Sequence, residues 1–131
     1  MLPRQPDARE FALTHRVLLA RTRDGIQVDV ALGALPFEER CVSRASTWEV
    51  DTGEVLTTCS AEDLVVHKAF AGRGLDWTDV ERVLIRQHAQ LNLKQIREEL
   101  TPLLELKGET EALEKFEQTL ATVERQLKKK M

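Results

Sequence analysis

The chain changes in character near Ser60, and this change constrains its fold more than any other feature of the sequence. β-branched residues and turn-forming residues dominate before Ser60, whereas helix-forming residues dominate after it. Strands followed by a run of helices are typical of an α+β architecture. We therefore predict an α+β fold, with a small mixed or antiparallel sheet followed by about four helices in the C-terminal half.

Residues 16–32 carry the clearest strand signal. Two runs rich in β-forming residues flank Asp24-Gly25, and Asp-Gly is the preferred two-residue hairpin loop because both of its positions need a positive φ. Such a loop predicts a register in which Asp29 lies opposite Ala20. The odd-numbered residues of the first strand and the even-numbered residues of the second strand then form the core face.

A second, shorter hairpin is predicted near residues 47–58. The segments 46–50 and 54–58 both favour strands, and the turn-forming sequence Asp51-Thr52-Gly53 separates them. The strand-rich part of the chain therefore covers residues 10–59. With the helical part, residues 60–130, it is predicted to form one domain that spans residues 1–131.

Capping residues mark the starts of the first three predicted helices. Ser60 can cap the first helix, which should end at about Ala71. Asp76 repeats the capping pattern for a second helix that should stop near Gln87, and Asn92 begins a third.

The third helix is expected to restart within its length, and the last helix carries an apolar seam. Thr101-Pro102 resembles a cap followed by a first-turn proline, and Gly108 should end the segment. The seam has alternating spacings of three and four residues and consists of Leu113, Phe116, Leu120, Val123 and Leu127. These apolar side chains are expected to pack against another surface.

Charge and hydropathy restrict the partners that the chain can have. It has 19 lysine and arginine residues against 22 aspartate and glutamate residues, a net charge of −3. This balance argues against a protein held to nucleic acid by bulk positive charge, so the net charge does not favour a transfer RNA partner. No apolar run approaches the roughly 20 residues of a membrane span, and the first residues lack the features of a signal peptide. A cytoplasmic location without a membrane partner is expected.

Two cysteines, Cys41 and Cys59, have no spacing typical of metal ligands. In a chain expected to be cytosolic, they are predicted to be free thiols rather than a disulfide.

Asp29 is the first candidate site residue. A carboxylate at the centre of a strand otherwise built from apolar residues costs stability unless it is solvated, paired or bound to metal. Metal binding is the functional interpretation. A partly exposed aspartate on an open sheet face is the structural interpretation, and the residues alone leave both open.

Lys68 is the second candidate site residue. It lies four residues after Leu64 and three after Val65, which places it at the rim of the buried stripe of its helix. From there it can reach a phosphate, or it can simply extend its ammonium group into solvent. Asp76 and Asp79 are sufficiently explained as capping residues near a helix start.

Three segments taken together resemble a known family. Val28–Glu38, Ser60–Arg73 and Asp76–Glu81 agree in order and spacing with small bacterial nucleotidyltransferases of the AbiEii-like toxin branch, within the superfamily that shares the catalytic fold of DNA polymerase beta. The resemblance covers roughly residues 10 to 105. In that family, a nucleotide passes from a nucleoside triphosphate to an acceptor such as a transfer RNA end or a protein side chain. Two magnesium ions held by three carboxylates assist the transfer.

The resemblance implies a role for each candidate residue. Asp29 matches the third metal-binding carboxylate, and Lys68 matches the helix lysine that approaches the triphosphate. Asp63, Asp76 and Asp79 match acidic positions that mostly hold local structure. A toxin role belongs to some relatives only.

The sequence departs from the family before Asp29. The family's Gly-Ser turn and its pair of acids one residue apart should precede this position by several tens of residues, but only 28 residues precede it. Residues 1–23 contain neither feature. Without the pair, two-metal transfer loses most of its ligands, so no transferase activity is expected for this chain alone.

Three hypotheses follow. The first is a truncated or degenerate nucleotidyltransferase-like protein that is inactive alone. The second is a homodimeric assembly module without catalysis, joined through an unpaired strand edge and the apolar seam of the last helix. The third is an active enzyme whose missing carboxylates come from a partner chain.

Overall fold

The computed structural model of the chain describes all 131 residues and has the predicted α+β fold, with six α-helices and two small antiparallel sheets. The chain divides into two compact units, Met1–Arg40 and Cys41–Met131. None of the helices combines the length and the apolar character that crossing a membrane requires.

The first unit contains a three-stranded sheet in the order β1–β2–β3. Its elements are β1 (Leu2–Pro3), α1 (Ala8–His15), β2 (Val17–Arg21) and β3 (Gln27–Ala31). Helix α1 packs against the central strand β2, and Ala12 and Ala20 are buried. Helix α2 (Pro36–Ser43) contains the boundary between the two units. The sequence patterns did not predict β1, α1 or α2.

The first hairpin is present, but its predicted register is wrong by one residue. Asp29 lies opposite Leu19, and Ala20 lies opposite Val28. Because side chains alternate between the two faces of a strand, this shift turns every side chain of β3 to the other face relative to β2. The predicted core face is therefore also wrong.

The loop between β2 and β3 explains the difference in register. Thr22 and Ile26 close the hairpin around three residues rather than two, since the Thr22 N–H donates to the Ile26 carbonyl at 2.9 Å. Gly25 has a φ of +91°, as expected of a three-residue loop that ends in a left-handed glycine. The Thr22 hydroxyl stabilises this loop by accepting a hydrogen bond from the Ile26 N–H at 3.0 Å.

The second predicted hairpin lies in the second unit and is confirmed. Strand β4 (Ser46–Glu49) pairs in antiparallel fashion with β5 (Val55–Thr58). All eight strand residues are exposed to solvent. Neither face of this hairpin is therefore buried.

Four α-helices follow the second hairpin: α3 (Ala61–Ala71), α4 (Gly74–Gln87), α5 (Leu93–Lys107) and α6 (Glu111–Lys129). A short 3-10 helix, His88–Gln90, separates α4 from α5. The predicted caps of α3 and α5 are confirmed, since Ser60 accepts a hydrogen bond from the Asp63 N–H and Asn92 accepts one from the Gln95 N–H.

Two details of the helices differ from the prediction. Helix α4 begins earlier, at Gly74, and Asp76 lies within its first turn rather than before it. Helix α5 continues through Pro102 without restarting. The buried leucines on both sides of the proline, Leu100 and Leu103, favour a continuous helix because an interruption would take them out of the core.

The apolar seam of α6 is covered within the chain itself. Phe116, Leu120 and Val123 are buried, and α6 packs against α3, α4 and α5. The central part of the seam therefore completes the core of the second unit, whereas Leu113 and Leu127 at its two ends are half-buried. Burying the three central side chains contributes about 1.5 to 3 kcal/mol each.

A buried ion pair ties the segment before β4 to the helices. Asp63 is fully buried, and Arg44 donates to its two carboxylate oxygens, from Nε at 2.9 Å and from Nη2 at 2.7 Å. Arg44 also donates from Nη1 to Glu99 on α5 at 3.1 Å. One guanidinium group thus joins α3 to α5.

We expect Asp63→Asn to lower the free energy of unfolding by about 3 kcal/mol, because it removes the charged partner of a partly buried guanidinium. Urea denaturation followed by circular dichroism measures this change. Asp51→Asn, in the exposed turn of the second hairpin, is the matched control and should change stability by less than about 0.5 kcal/mol. Equal effects of the two substitutions would contradict the structural role of the ion pair.

Candidate functional site

Lys68 projects from α3 toward two carboxylates of α4. Its Nζ lies 2.8 Å from an oxygen of Asp79 and 3.4 Å from an oxygen of Asp76. Its side chain is 31% exposed, so the ammonium group can be reached from solvent. The lysine is thus held in one orientation rather than extended freely into water.

A sharp turn between α3 and α4 brings these groups together. Gly72 has a φ of +68°, and its N–H donates to the Lys68 carbonyl at 2.9 Å to end α3. The left-handed conformation suits glycine, which has no Cβ. Asp76 and Asp79 are three residues apart on α4 and therefore lie on one face of that helix, directed at Lys68.

Asp76 has a structural role at the start of α4. Its carboxylate is only 3% exposed, and it accepts hydrogen bonds from the Arg73 side chain at 2.7 Å and from the Arg73 backbone N–H at 3.2 Å. The Arg73 hydrogen bond, aided by Lys68, lowers the pKa of Asp76 below its ordinary value. The hydrogen bond to Asp79 raises the pKa of Lys68. Asp76 and Lys68 are therefore both charged at neutral pH.

A groove of about 480 Å³ runs along α3 and α4 beside this cluster. Leu64 and Val83 form apolar parts of its wall, and its charged lining consists of Lys68, Asp79, Arg82 and Arg86. Three cations against one carboxylate give the groove a positive lining, although the whole chain is acidic. Arg82 Nη1 lies 3.7 Å from an oxygen of Asp79, and the Arg82 side chain is largely exposed. Its guanidinium group is therefore accessible to a ligand.

The groove has the chemistry of an anion-binding surface. Arginine presents several N–H donors in a plane that matches phosphate and carboxylate oxygens, and lysine contributes a point charge. The groove is open to solvent, and an anion must also compete with Asp79 for Lys68. Binding through these groups is therefore expected to be modest and to weaken with salt.

Asp29 lies in the first unit on β3, with its side chain 63% exposed. Its carboxylate accepts a hydrogen bond from Arg4 Nη2 at 2.5 Å, and Arg4 also donates to Gln27 at 2.8 Å. Exposure and pairing with arginine explain how the strand tolerates this carboxylate. The two predicted site residues, Asp29 and Lys68, therefore belong to different units of the chain.

The residues around Asp29 do not fit the magnesium site that the resemblance implies. No group of three or more histidine, cysteine, aspartate or glutamate side chains that could hold a metal ion occurs in the structure. The Asp29 carboxylate is already paired with Arg4, and one carboxylate cannot hold two divalent ions against water.

The sequence patterns placed Arg82 in a charged group near a helix start but assigned it no site role, and they missed Arg86, the other arginine of the groove. Their spacing of three and seven residues from Asp79 places all three on one face of α4. This helical spacing from Asp79 is the sequence signal that could have identified both arginines as neighbours of the site. Arg4 and Arg44 are different, because each acts through partners at least 19 residues away, and no local pattern indicates such pairs.

Comparison of the chain with known protein families, with curated proteins and with solved structures found no match.

We expect Asp76→Asn to lower the free energy of unfolding at pH 7 by about 2 kcal/mol, because a buried carboxylate that accepts charge-assisted hydrogen bonds becomes neutral. The folded-state pKa of Asp76 is lowered, so its contribution is fully present above the ordinary value of 3.8 and is lost as the pH falls through the folded-state pKa. The difference between wild type and variant should therefore shrink below pH 4. Urea denaturation across this range tests the expectation, and a difference that is constant with pH would contradict it.

Proposed function

We propose that this chain is a nucleotidyltransferase-like protein that binds the phosphates of nucleoside triphosphates in the α3–α4 groove and does not transfer nucleotides by itself. The observation that carries the proposal is the position of Lys68. This residue, which matches the phosphate-approaching lysine of the resembled family, stands at a groove that Arg82 and Arg86 also line.

The electrostatics of the groove support a triphosphate as ligand. A triphosphate carries several negative charges along a short chain of oxygens, and the groove presents three cations within three turns of two adjacent helices. Arg82 and Arg86 lie four residues apart on α4, so both guanidinium groups are on the same side of the groove. Together with Lys68 they can contact successive phosphates.

The orientation of Lys68 also supports binding rather than a purely structural role. Asp76 is buried and shared with Arg73, so it holds the lysine in place and remains paired when a ligand arrives. Asp79 is more accessible, and Lys68 can exchange this partner for a phosphate oxygen. A ligand thus finds a cation whose conformation is already restricted, which lowers the entropic cost of binding.

The chain alone is proposed to be inactive because its residues provide too few carboxylates for two-metal chemistry. Asp29 remains as a vestigial third carboxylate, and it is paired with Arg4. Transfer from a magnesium-bound triphosphate to an RNA or protein acceptor would then need carboxylates supplied by a partner chain.

Calorimetric titration with each nucleoside triphosphate, with and without magnesium, tests the groove. We expect Lys68→Ala and Arg86→Ala each to weaken binding by about tenfold, the effect of losing one charge-assisted phosphate contact worth about 1.4 kcal/mol. Lys94→Ala, an exposed lysine of α5 outside the groove, is the control with the same change in net charge. If both groove variants bind triphosphate as tightly as the wild type does, the proposed site is wrong.

An assembly role is the second candidate, and the β4–β5 hairpin favours it. Trp48 and Leu56 lie opposite each other, 62% and 52% exposed. Isolated two-stranded hairpins are only marginally stable in water, and unpaired strand edges favour pairing with another chain.

The proposed occupant is the same hairpin of a second copy, paired in antiparallel fashion. The acidic residues of the hairpin, Glu49, Asp51 and Glu54, all lie at its turn end. Antiparallel pairing of two copies places these acidic ends far apart, whereas parallel pairing would bring them together. The homodimer predicted from the sequence is therefore retained as a proposal, with this hairpin in place of the α6 seam.

Light scattering coupled to size-exclusion chromatography tests this second candidate. Wild type is expected to approach twice the monomer mass as concentration rises, and Trp48→Ser is expected to remain monomeric because it removes the largest apolar side chain of the interface. Leu75→Ser, an exposed apolar residue of α4, is the control and should dimerise like wild type. A monomeric wild type at every concentration would eliminate the assembly role.

A further inference from the structure

The α3–α4 groove has two chemically different ends. At one end, Lys68 of α3 is paired with Asp79 of α4. At the other end, Ala61 at the start of α3 and Gln87 at the end of α4 line the same groove. The two helices therefore run in opposite directions along it. Ala61 and Lys68 are seven residues apart, which corresponds to about 10 Å along the helix axis.

The wall of the groove becomes apolar one helical turn beyond the Lys68–Asp79 pair. Leu64 precedes Lys68 by four residues, and Val83 follows Asp79 by four residues, so both lie on the groove side of their helices. Both side chains are half-buried, as is Ala61, which leaves part of their surface open to a ligand. Apolar surface binds phosphate poorly, because it offers no replacement for the lost water, but it suits a sugar or an aromatic ring.

Gln87 adds a polar group at the far end of this apolar wall. Its side chain is exposed, and its carboxamide is not engaged in any hydrogen bond within the chain. A carboxamide has an NH2 group that donates and an oxygen that accepts. A nucleobase has the matching chemistry, since its faces are apolar and its edges carry donors and acceptors.

We propose that the Ala61–Gln87 end of the groove is a nucleobase subsite that accepts all four common bases, with Gln87 as its base-contacting residue. This inference rests on the proposed binding of the triphosphate at Lys68. In this arrangement the terminal phosphate contacts Lys68 and the phosphate chain passes the Arg82 guanidinium. The ribose and the base continue over the apolar wall toward the Gln87 carboxamide.

The freedom of the Gln87 side chain explains why the subsite would not select one base. The Watson–Crick edge of every common base presents a donor beside an acceptor, and only their order differs between bases. Half a turn of the carboxamide exchanges the positions of its NH2 group and its oxygen, so it matches either order. No intramolecular hydrogen bond opposes this rotation. The groove therefore distinguishes nucleotides from inorganic polyphosphates rather than one base from another.

Inorganic triphosphate separates this proposal from phosphate binding alone. It carries at least as much negative charge as the triphosphate of a nucleotide, and it has no base. If only the cations of the groove held the ligand, inorganic triphosphate would bind at least as tightly as a nucleotide. A base subsite predicts the opposite order, because apolar contact and the carboxamide add to the affinity of the nucleotide alone.

Calorimetric titration of the full chain with inorganic triphosphate, ATP, GTP, CTP and UTP tests the proposal at constant salt and magnesium. The four nucleotides are expected to bind about tenfold more tightly than inorganic triphosphate. Their affinities should lie within about fivefold of one another, which is the effect of roughly one hydrogen bond.

Three variants locate the two parts of the ligand. Gln87→Ala should weaken the binding of each nucleotide about fivefold and leave the affinity for inorganic triphosphate unchanged. Lys68→Ala should weaken the binding of nucleotides and inorganic triphosphate alike, because both place a phosphate there. Gln90→Ala is the matched control, since it makes the same change at an exposed glutamine of the 3-10 helix outside the groove, and it should alter neither affinity.

The outcomes distinguish the subsite from the phosphate site. Equal wild-type affinities for nucleotides and inorganic triphosphate would overturn the subsite, as would unchanged nucleotide binding in Gln87→Ala. A strong preference for one base would also overturn it. If Lys68→Ala still weakens binding in these cases, the phosphate site remains supported. If the wild-type chain binds none of the five ligands, both proposals are wrong.

Discussion

Burial of the Asp63 carboxylate is the constraint on which the helical half of the chain depends. A buried ionised group is costly unless charged hydrogen bonds replace its lost solvent, and here the Arg44 guanidinium supplies two of them. The same guanidinium reaches Glu99 on α5, while the backbone N–H of Asp63 is capped by Ser60. These contacts fix where α3 begins and how it is rotated about its axis.

The rotation of α3 determines the direction in which Lys68 points. Val65, Val66 and Ala69 enter the core, so the lysine is left at the edge of the buried stripe, where α4 packs against α3. The left-handed Gly72 then returns the chain sharply enough for the first turns of α4 to face that edge. The α3–α4 groove thus follows from a helix cap, a core stripe and a glycine turn. Its positive lining is a local property of two helix faces in a chain of net charge −3.

Local patterns predicted the elements better than they predicted the contacts between them. The α+β fold, the two hairpins and the caps at Ser60 and Asn92 follow from turn and helix signals that operate within a few residues. The register of the first hairpin does not follow from such local signals, because Asp-Gly suits loops of either two or three residues. The hydrogen bond to the Thr22 hydroxyl favours the three-residue loop. The continuation of α5 through Pro102 depends on buried neighbours. The partners of Arg44, and the pairing of Asp29 with Arg4, are long-range contacts with no local signature.

In the proposed binding mode, Lys68 exchanges its Asp79 partner for a phosphate of a nucleoside triphosphate. The affinity of Asp79→Asn for triphosphate, measured by calorimetry at constant salt, tests this claim most directly, because the substitution removes the competing charge and leaves the Asp76 contact in place. We predict that Asp79→Asn binds triphosphate several-fold more tightly than wild type, because it loses a competing ion pair worth about 1 kcal/mol. An affinity that is unchanged or weaker would show that Lys68 does not exchange Asp79 for a phosphate.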